Sequence, residues 1–308
     1  MSTVQTMFPA LGTVNTITLY DTAHKSVADD ARSFVCELDR KLSVFRPDSE
    51  LSRFNALRGG EWMSVSEDTF VIFRESILCG KLTNGAFDVT AGPLSALWRE
   101  AIRTCRLPST AELQRAKRLV DYRDLRFNDT KKRVCLQKSG QSVDFGGIAK
   151  GYAADKVVEQ LQCSGVQNAV VNLGGTVGVL GRPQRVGIQD PSRPTGAPLG
   201  ALTLQNEFAV TSGSYERGAV IDGKRRHHII DPRTGLPSES GLLSVTLVGQ
   251  CATELDALAT AAFILGAEDA VPILRSRGIE AVFVTETGEV LVTPDLQSNF
   301  QLFQQKGA

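Results

Sequence analysis

The stretch Asp144-Phe145-Gly146-Gly147-Ile148-Ala149-Lys150-Gly151-Tyr152 decides how this chain is read. Val143 and the carboxylate beside it close a strand, and two glycines break it. From Ile148 the apolar spacing becomes helical: Ile148 and Tyr152, then Ala149 and Ala153, stand four apart, and the series runs on to Val157, Val158 and Leu161. A strand, a glycine turn and a helix in that order aim free backbone N–H groups and a positive helix end into the turn, a setting that suits a phosphate. Lys150 lies in the first helical turn, within reach of such a group. Gly151 sits inside the helix, where it costs about 1 kcal/mol against Ala, so it points to a close approach of ligand or backbone. The same sequence also serves as a plain connection, and spacing alone leaves both readings standing.

At 308 residues the chain can bury a large core, as one domain or as two lobes around a cleft. Apolar residues at 42% and charged residues at 22% are ordinary for a globular protein. Lys+Arg and Asp+Glu both number 34, so no global field draws nucleic acid or a membrane surface, and neither partner is expected. The six cysteines form no CxxC pair, which argues against zinc ribbons and thioredoxin chemistry and fits reduced thiols in a cytosol. No stretch approaches the roughly 20 apolar residues of a membrane helix. The opening residues lack the basic start and apolar run of a secretory signal, so a cytoplasmic location is expected.

Working outward, residues 12–20 alternate as a strand, and residues 30–42 read as an amphipathic helix through Ala31, Phe34, Val35, Leu38 and Leu42. Residues 44–55 form a polar loop around Pro47, with Ser49 opening a short helix. A helix over 69–82 ends at an Asn84-Gly85 cap. In Ala86-Phe87-Asp88-Val89-Thr90, the carboxylate beside an aromatic ring suits a heteroaromatic ligand; equally, Phe87 is core and Asp88 caps the next turn. A helix over 110–119, a hairpin over 125–136, strands over 169–173, 177–180, 185–188 and 244–248, and a last hairpin around Gly288 complete the frame. Asp222-Gly223 is a hairpin turn. His227 and His228 are adjacent on a strand, so at most one of them lines a given site. Asp256 and Thr260 share a helical face. Two hard oxygens with loop carbonyls suit Mg²⁺, although a capping carboxylate and a buried Thr explain the same spacing.

Together these segments resemble the ApbE family of FAD:protein FMN transferases. The matching pieces are Leu11-Gly12-Thr13, Phe45-Arg46-Pro47 with Ser49-Glu50-Leu51-Ser52, and Ala86-Phe87-Asp88-Val89-Thr90 with Gly92-Pro93-Leu94 and Trp98. Further along come residues 144–155, Asn172-Leu173-Gly174-Gly175, Thr211-Ser212-Gly213, residues 228–235 and residues 256–260, all in family order. The resemblance implies an α+β, T-fold-like architecture of mixed sheets with packed helices, one domain over 1–308, and a deep flavin cleft. It places flavin contacts on Leu11, Phe45, Ala86, Phe87, Asp88, Asp144, Lys150 and Ile230. It puts Mg²⁺ on the carbonyl of Gly147 with Asp256 and Thr260, and makes His228 the catalytic histidine near the reacting phosphate. The implied reaction moves FMN from FAD to a Thr or Ser hydroxyl of a client flavoprotein, releasing AMP. The alternatives are an Mg-dependent FAD pyrophosphatase and a flavin-binding protein without turnover. The chain departs from the family at Leu11, where methionine is usual, at Leu255, where Ala is usual, and at Ser214, a common Asp position. The export signal and anchor cysteine frequent in the family are missing.

Overall fold

Strands cross the central sheet in the order in which the chain makes them. The computed structural model describes residues 3–20 and 25–303. Its eight-stranded sheet runs β1 (Val4–Ala10), β2 (Thr13–Tyr20), β3 (Asn168–Leu173), β4 (Thr176–Leu180), β5 (Glu207–Gly213), β6 (Leu242–Gly249), β7 (Glu280–Thr285) and β8 (Val290–Val292). Each neighbouring pair is antiparallel. Leu11-Gly12 joins β1 to β2 with φ of 53° and 73°, the two-residue turn whose twist matches the flanking strands. Gly174-Gly175 does the same for β3 and β4, at φ of 60° and 90°.

The helices come mostly in one long insertion between β2 and β3: α1 (Lys25–Leu42), α2 (Glu50–Asn55), α3 (Glu67–Leu82), α4 (Gly92–Thr104), α5 (Thr110–Lys117) and α6 (Ala149–Cys163). Two more, α7 (Ala252–Leu265) and α8 (Ala267–Ser276), connect β6 to β7. Ser49 caps α2, its Oγ accepting the Ser52 N–H at 2.9 Å, as the sequence reading expects. The period of two along each strand sorts side chains between faces. Ala169, Val171 and Leu173 on β3, and Val245 and Leu247 on β6, enter the main core with α1, α3, α6 and α7. Val179, Ala209, Val248 and Val282 turn the other way, against Ile188, Leu202 and Leu204 of a three-stranded sheet formed by Gln184–Gln189, Pro198–Leu204 and Phe300–Leu302. A third cluster joins Leu94, Trp98, Ala101 and Ala116 of α4 and α5 to Ile230, and Trp98 Nε1 donates to the Gly235 carbonyl at 2.8 Å.

The result is α+β with helices, an eight-stranded sheet and a smaller sheet in layers. Among the described residues no helix is long and apolar enough to cross a membrane.

Candidate active site

Asp144 shapes the turn that opens α6. Its Oδ1 accepts the Gly146 N–H at 2.9 Å, its own N–H donates to the Val89 carbonyl at 3.0 Å, and Arg99 reaches its Oδ2 at 3.2 Å. Val143 is held from far away in sequence: Asn55 Oδ1 accepts its N–H at 2.8 Å, and Asn55 Nδ2 donates to its carbonyl at 2.9 Å. An amide side chain there replaces a strand partner. Ile148 supplies no side-chain cap to α6; the Ile148 and Ala149 N–H groups turn back to the Phe145 carbonyl at 3.0 and 2.9 Å, and the positive end of the helix lies at the glycine turn.

The oddity of Gly151 is resolved by α7. A Cβ there would lie 2.1 Å from the Ala252 carbonyl oxygen and 2.8 Å from the Asp256 Cβ. Backbone, not ligand, requires the glycine. The contact lets the buried Asp256 accept the Gly151 N–H through Oδ2 at 2.9 Å and stand 3.3 Å from the Lys150 ammonium through Oδ1. Lys150 Nζ also reaches the Gly146 carbonyl at 3.4 Å. Asp155, one turn further on, accepts the Ala252 and Thr253 N–H groups at 2.8 Å each and caps α7 from outside. Two helices distant in sequence are thereby locked in register.

The expected metal residues converge. A Cβ on Gly147 would meet Thr260 Oγ1 at 3.0 Å and the Phe87 ring at 3.3 Å, so only glycine leaves this cradle open. Ser212 Oγ lies 3.5 Å from Thr260 Oγ1, and Asp256 supplies the one carboxylate. No group of three or more His, Cys, Asp or Glu that could hold a metal occurs among the described residues. The donors are one carboxylate, hydroxyls and a backbone carbonyl, all hard oxygens, which fits Mg²⁺ and fits zinc or copper poorly.

The expected flavin residues divide into two groups. Leu11 stands at the tip of the β1–β2 turn, and Phe45 is 70% exposed, with the Arg99 guanidinium 4.7 Å from its ring centroid. Arg99 therefore couples Phe45 to Asp144, a link no local sequence signal announces. Ala86 and Phe87 lie in the main core, and Ile230 packs with Trp98, so their side chains are committed to packing. Asp88 Oδ1 accepts Thr90 N–H at 2.8 Å and Thr90 O–H at 2.6 Å, and Oδ2 accepts Tyr122 N–H at 2.9 Å. That is the capping role. Burial nonetheless pushes its carboxyl above the usual range, against those hydrogen bonds.

The histidines part company. His227 is buried edge-on to Phe263, its Nε2 3.0 Å from the Ser238 carbonyl and its Nδ1 accepting the Ile229 N–H. His228 keeps an exposed ring whose Nδ1 lies 3.2 Å from the Arg217 carbonyl, leaving Nε2 as the free acceptor. Crowding by protein lowers its pKa, assisted by the charges of Arg217 and Lys150. Arg217 also donates to the Gly12 carbonyl at 3.2 Å, tying this segment to the Leu11 turn. Glu216 beside it was not singled out by the sequence. Desolvation raises its pKa and Asp256 adds to the rise, while Lys150 and Arg217 oppose it.

The family model described as ApbE family matches residues 11–283. An FAD:protein FMN transferase of Klebsiella pneumoniae is 34% identical over 260 residues, covering 84% of this chain and 82% of that protein. One from Escherichia coli K12 is 33% identical over 264 residues, covering 83% and 75%. Among solved structures, the ApbE protein of Thermotoga maritima superposes with a TM-score of 0.88 at 31% identity, over 97% of this chain and 99% of that one. The flavin transferase ApbE of Vibrio cholerae gives 0.86 at 28% identity, over 97% and 99%.

Proposed function

This chain belongs to the ApbE family, and from that premise we propose which of its residues transfer the FMN half of FAD to a client protein. The activity is flavin transfer, the one its curated relatives are named for. The observation that carries the assignment of roles is the Gly146-Gly147 turn, where the helix α6 N-terminus, Lys150 and Asp256 converge within hydrogen-bonding distances.

FAD is held with its pyrophosphate at that turn, where N–H dipoles and the Lys150 ammonium offset its charge. Leu11, Phe45 and Asp144 border the flavin end, with Ala86, Phe87, Asp88 and Ile230 setting the wall behind it. The Gly147 carbonyl, Asp256 and Thr260 would hold Mg²⁺, which supplies charge neutralisation for a phosphoryl transfer. The hydroxyl oxygen of a client Thr or Ser attacks the riboflavin-side phosphorus. One P–O bond forms to the client, the bridging P–O bond breaks, and AMP leaves with its electron pair. The hydroxyl proton passes to His228 Nε2, whose Nδ1–H is anchored on Arg217.

The proposal treats residues 1–308 as one flavin-transferase domain. It places the chain in a reducing, cytoplasmic compartment, supported by six free thiols of which Cys105, Cys163 and Cys251 are exposed. The test is incubation with FAD and Mg²⁺, with and without an acceptor protein. AMP released only with acceptor, together with FMN on the acceptor by mass spectrometry, is the expected result. Stoichiometric FMN and AMP without acceptor establish a pyrophosphatase instead.

A further inference from the structure

We infer that the groove between β1 and α1 is the track by which the client's acceptor segment enters, as an extended strand paired to the free edge of β1. The inference rests on the transferase reading above.

Among the described residues β1 is the outermost strand of the central sheet, with no strand paired to its other edge. Ala10 and Thr13 close a two-residue turn, so alternation directs the hydrogen bonds of Thr6, Phe8 and Ala10 inward to β2. The N–H and carbonyl groups of Gln5 and Met7, and the Pro9 carbonyl, then point away from the sheet. Proline falls where no inward donor is needed. Such an edge is a template for an added strand.

The space beside this edge is formed. A depression of about 330 Å³ lies between Phe8 and Pro9 of β1 and Arg32, Ser33, Cys36 and Arg40 of α1. A second, of about 440 Å³, continues past Pro9, Ala10, Gly12 and Thr13 to Asp39. Both lie off the Gly146-Gly147 turn, yet both walls lead towards the site. β1 runs directly into Leu11, and α1 ends at Leu42, just before Phe45. The Gly12 carbonyl at the end of the groove is held by Arg217, whose own carbonyl anchors His228.

The lining specifies the occupant. Arg32 and Arg40 are exposed and make no ion pair among the described residues, so cations outnumber the single Asp39. Met7, on β1 itself, is 67% exposed and offers an apolar contact to a side chain of an added strand. The partner is thus an extended segment with acidic residues flanking its acceptor hydroxyl.

The probes are two short acetylated peptides, one with a single Thr among aspartates and alanines, the other with lysines for the aspartates. Full-length chain, FAD and Mg²⁺ are incubated with each, and FMN on the peptide is measured against peptide concentration. The acidic peptide is expected to be modified at a KM about tenfold or more below that of the lysine peptide. Met7→Pro, which removes an outward N–H, should raise that KM about tenfold while kcat and FAD affinity hold. Arg32→Glu combined with Arg40→Glu lies on the exposed side of α1 and should reverse the preference, which keeps the test decisive if Met7→Pro misfolds. Unchanged KM in the arginine variant, or wild type modifying both peptides equally or neither while binding FAD, overturns the groove. Failure of wild type to bind FAD sinks the transferase reading instead.

Discussion

At the scale of single residues, His227 and His228 have opposite tasks despite being neighbours. His227 spends both ring nitrogens on backbone and packs on Phe263, so it belongs to the core. His228 spends only Nδ1 and presents Nε2, the arrangement a base needs. Crowding by the surrounding protein pushes His228 down to about 4 from 6.5. Transfer is therefore expected to stay level from alkaline pH to 6.5 and to fall only as the pH drops towards 4; a rate halved already at pH 7 contradicts the role. Replacing His228 by Gln should lower kcat by about a hundredfold or more. Both imidazoles are held below the unfolded value, and the unfolded chain takes up their protons first. Their contribution to stability is thus intact above 6.5 and is lost as the pH falls through it. Asp256 carries a second prediction. Asp256→Ala also strands the buried Gly151 N–H, which costs about 1–3 kcal/mol, so the fold is weakened as well as the site. Asp256→Asn keeps an acceptor for Gly151. It should melt near wild type yet lose about tenfold or more in Mg²⁺ affinity by calorimetry; wild-type affinity in that variant rejects the metal assignment.

At the scale of elements, α6 and α7 touch through one missing Cβ. In a solvent-exposed helix, Gly→Ala gains about 1 kcal/mol. At Gly151 the new methyl would sit 2.1 Å from the Ala252 oxygen, and relieving that overlap costs about 1–3 kcal/mol, so the clash wins. Gly151→Ala should lower the melting temperature by a few degrees and also impair turnover, because Asp256 moves with α7. Asp155→Asn is the control: it loses a cap worth about 1 kcal/mol and should leave turnover close to wild type. A Gly151→Ala protein that melts higher than wild type refutes the contact. Helices such as α1, α3 and α5, and the hairpins at Asp222-Gly223 and Gly288, were legible because period and turn chemistry are local. β1 was not: Pro9 interrupts a weak alternation, and its place is set by pairing with β2. The strand Pro198–Leu204 was missed for the same reason, since its partners lie at Gln184–Gln189 and Phe300–Leu302. Gly151 was legible as a close approach, but whether to ligand or backbone required α7. The Arg99 link between Phe45 and Asp144, and the Asn55 clasp on Val143, have no local signature at all.

At the scale of the whole molecule, the candidate site draws on residues far apart in the chain. Its candidate residues run from Leu11 on the first hairpin to Thr260 on α7, and the main core draws on residues from Phe8 to Phe283. The central sheet is continuous from β1 to β8, so no seam divides one half of it from the other. Length and composition left one domain or two lobes open while the resemblance implied a single domain, and the two arrangements differ in how the protein melts. A single cooperative unit should unfold in one calorimetric transition. FAD at about a hundred times its Kd then stabilises the whole by about 2.7 kcal/mol and moves that transition up by roughly 5 °C. AMP or FMN alone, each reaching part of the site and so binding more weakly, should move it less at the same concentration. Two lobes would instead melt separately, with FAD shifting one transition and leaving the other in place. Resolved double transitions in the free protein, or a single transition that FAD does not move at saturation, would falsify the coupling between global fold and flavin site. The prediction is sharpest with Gly151→Ala as the comparison: there the free protein melts lower, and the increment from FAD shrinks too, because the same α6–α7 contact serves both.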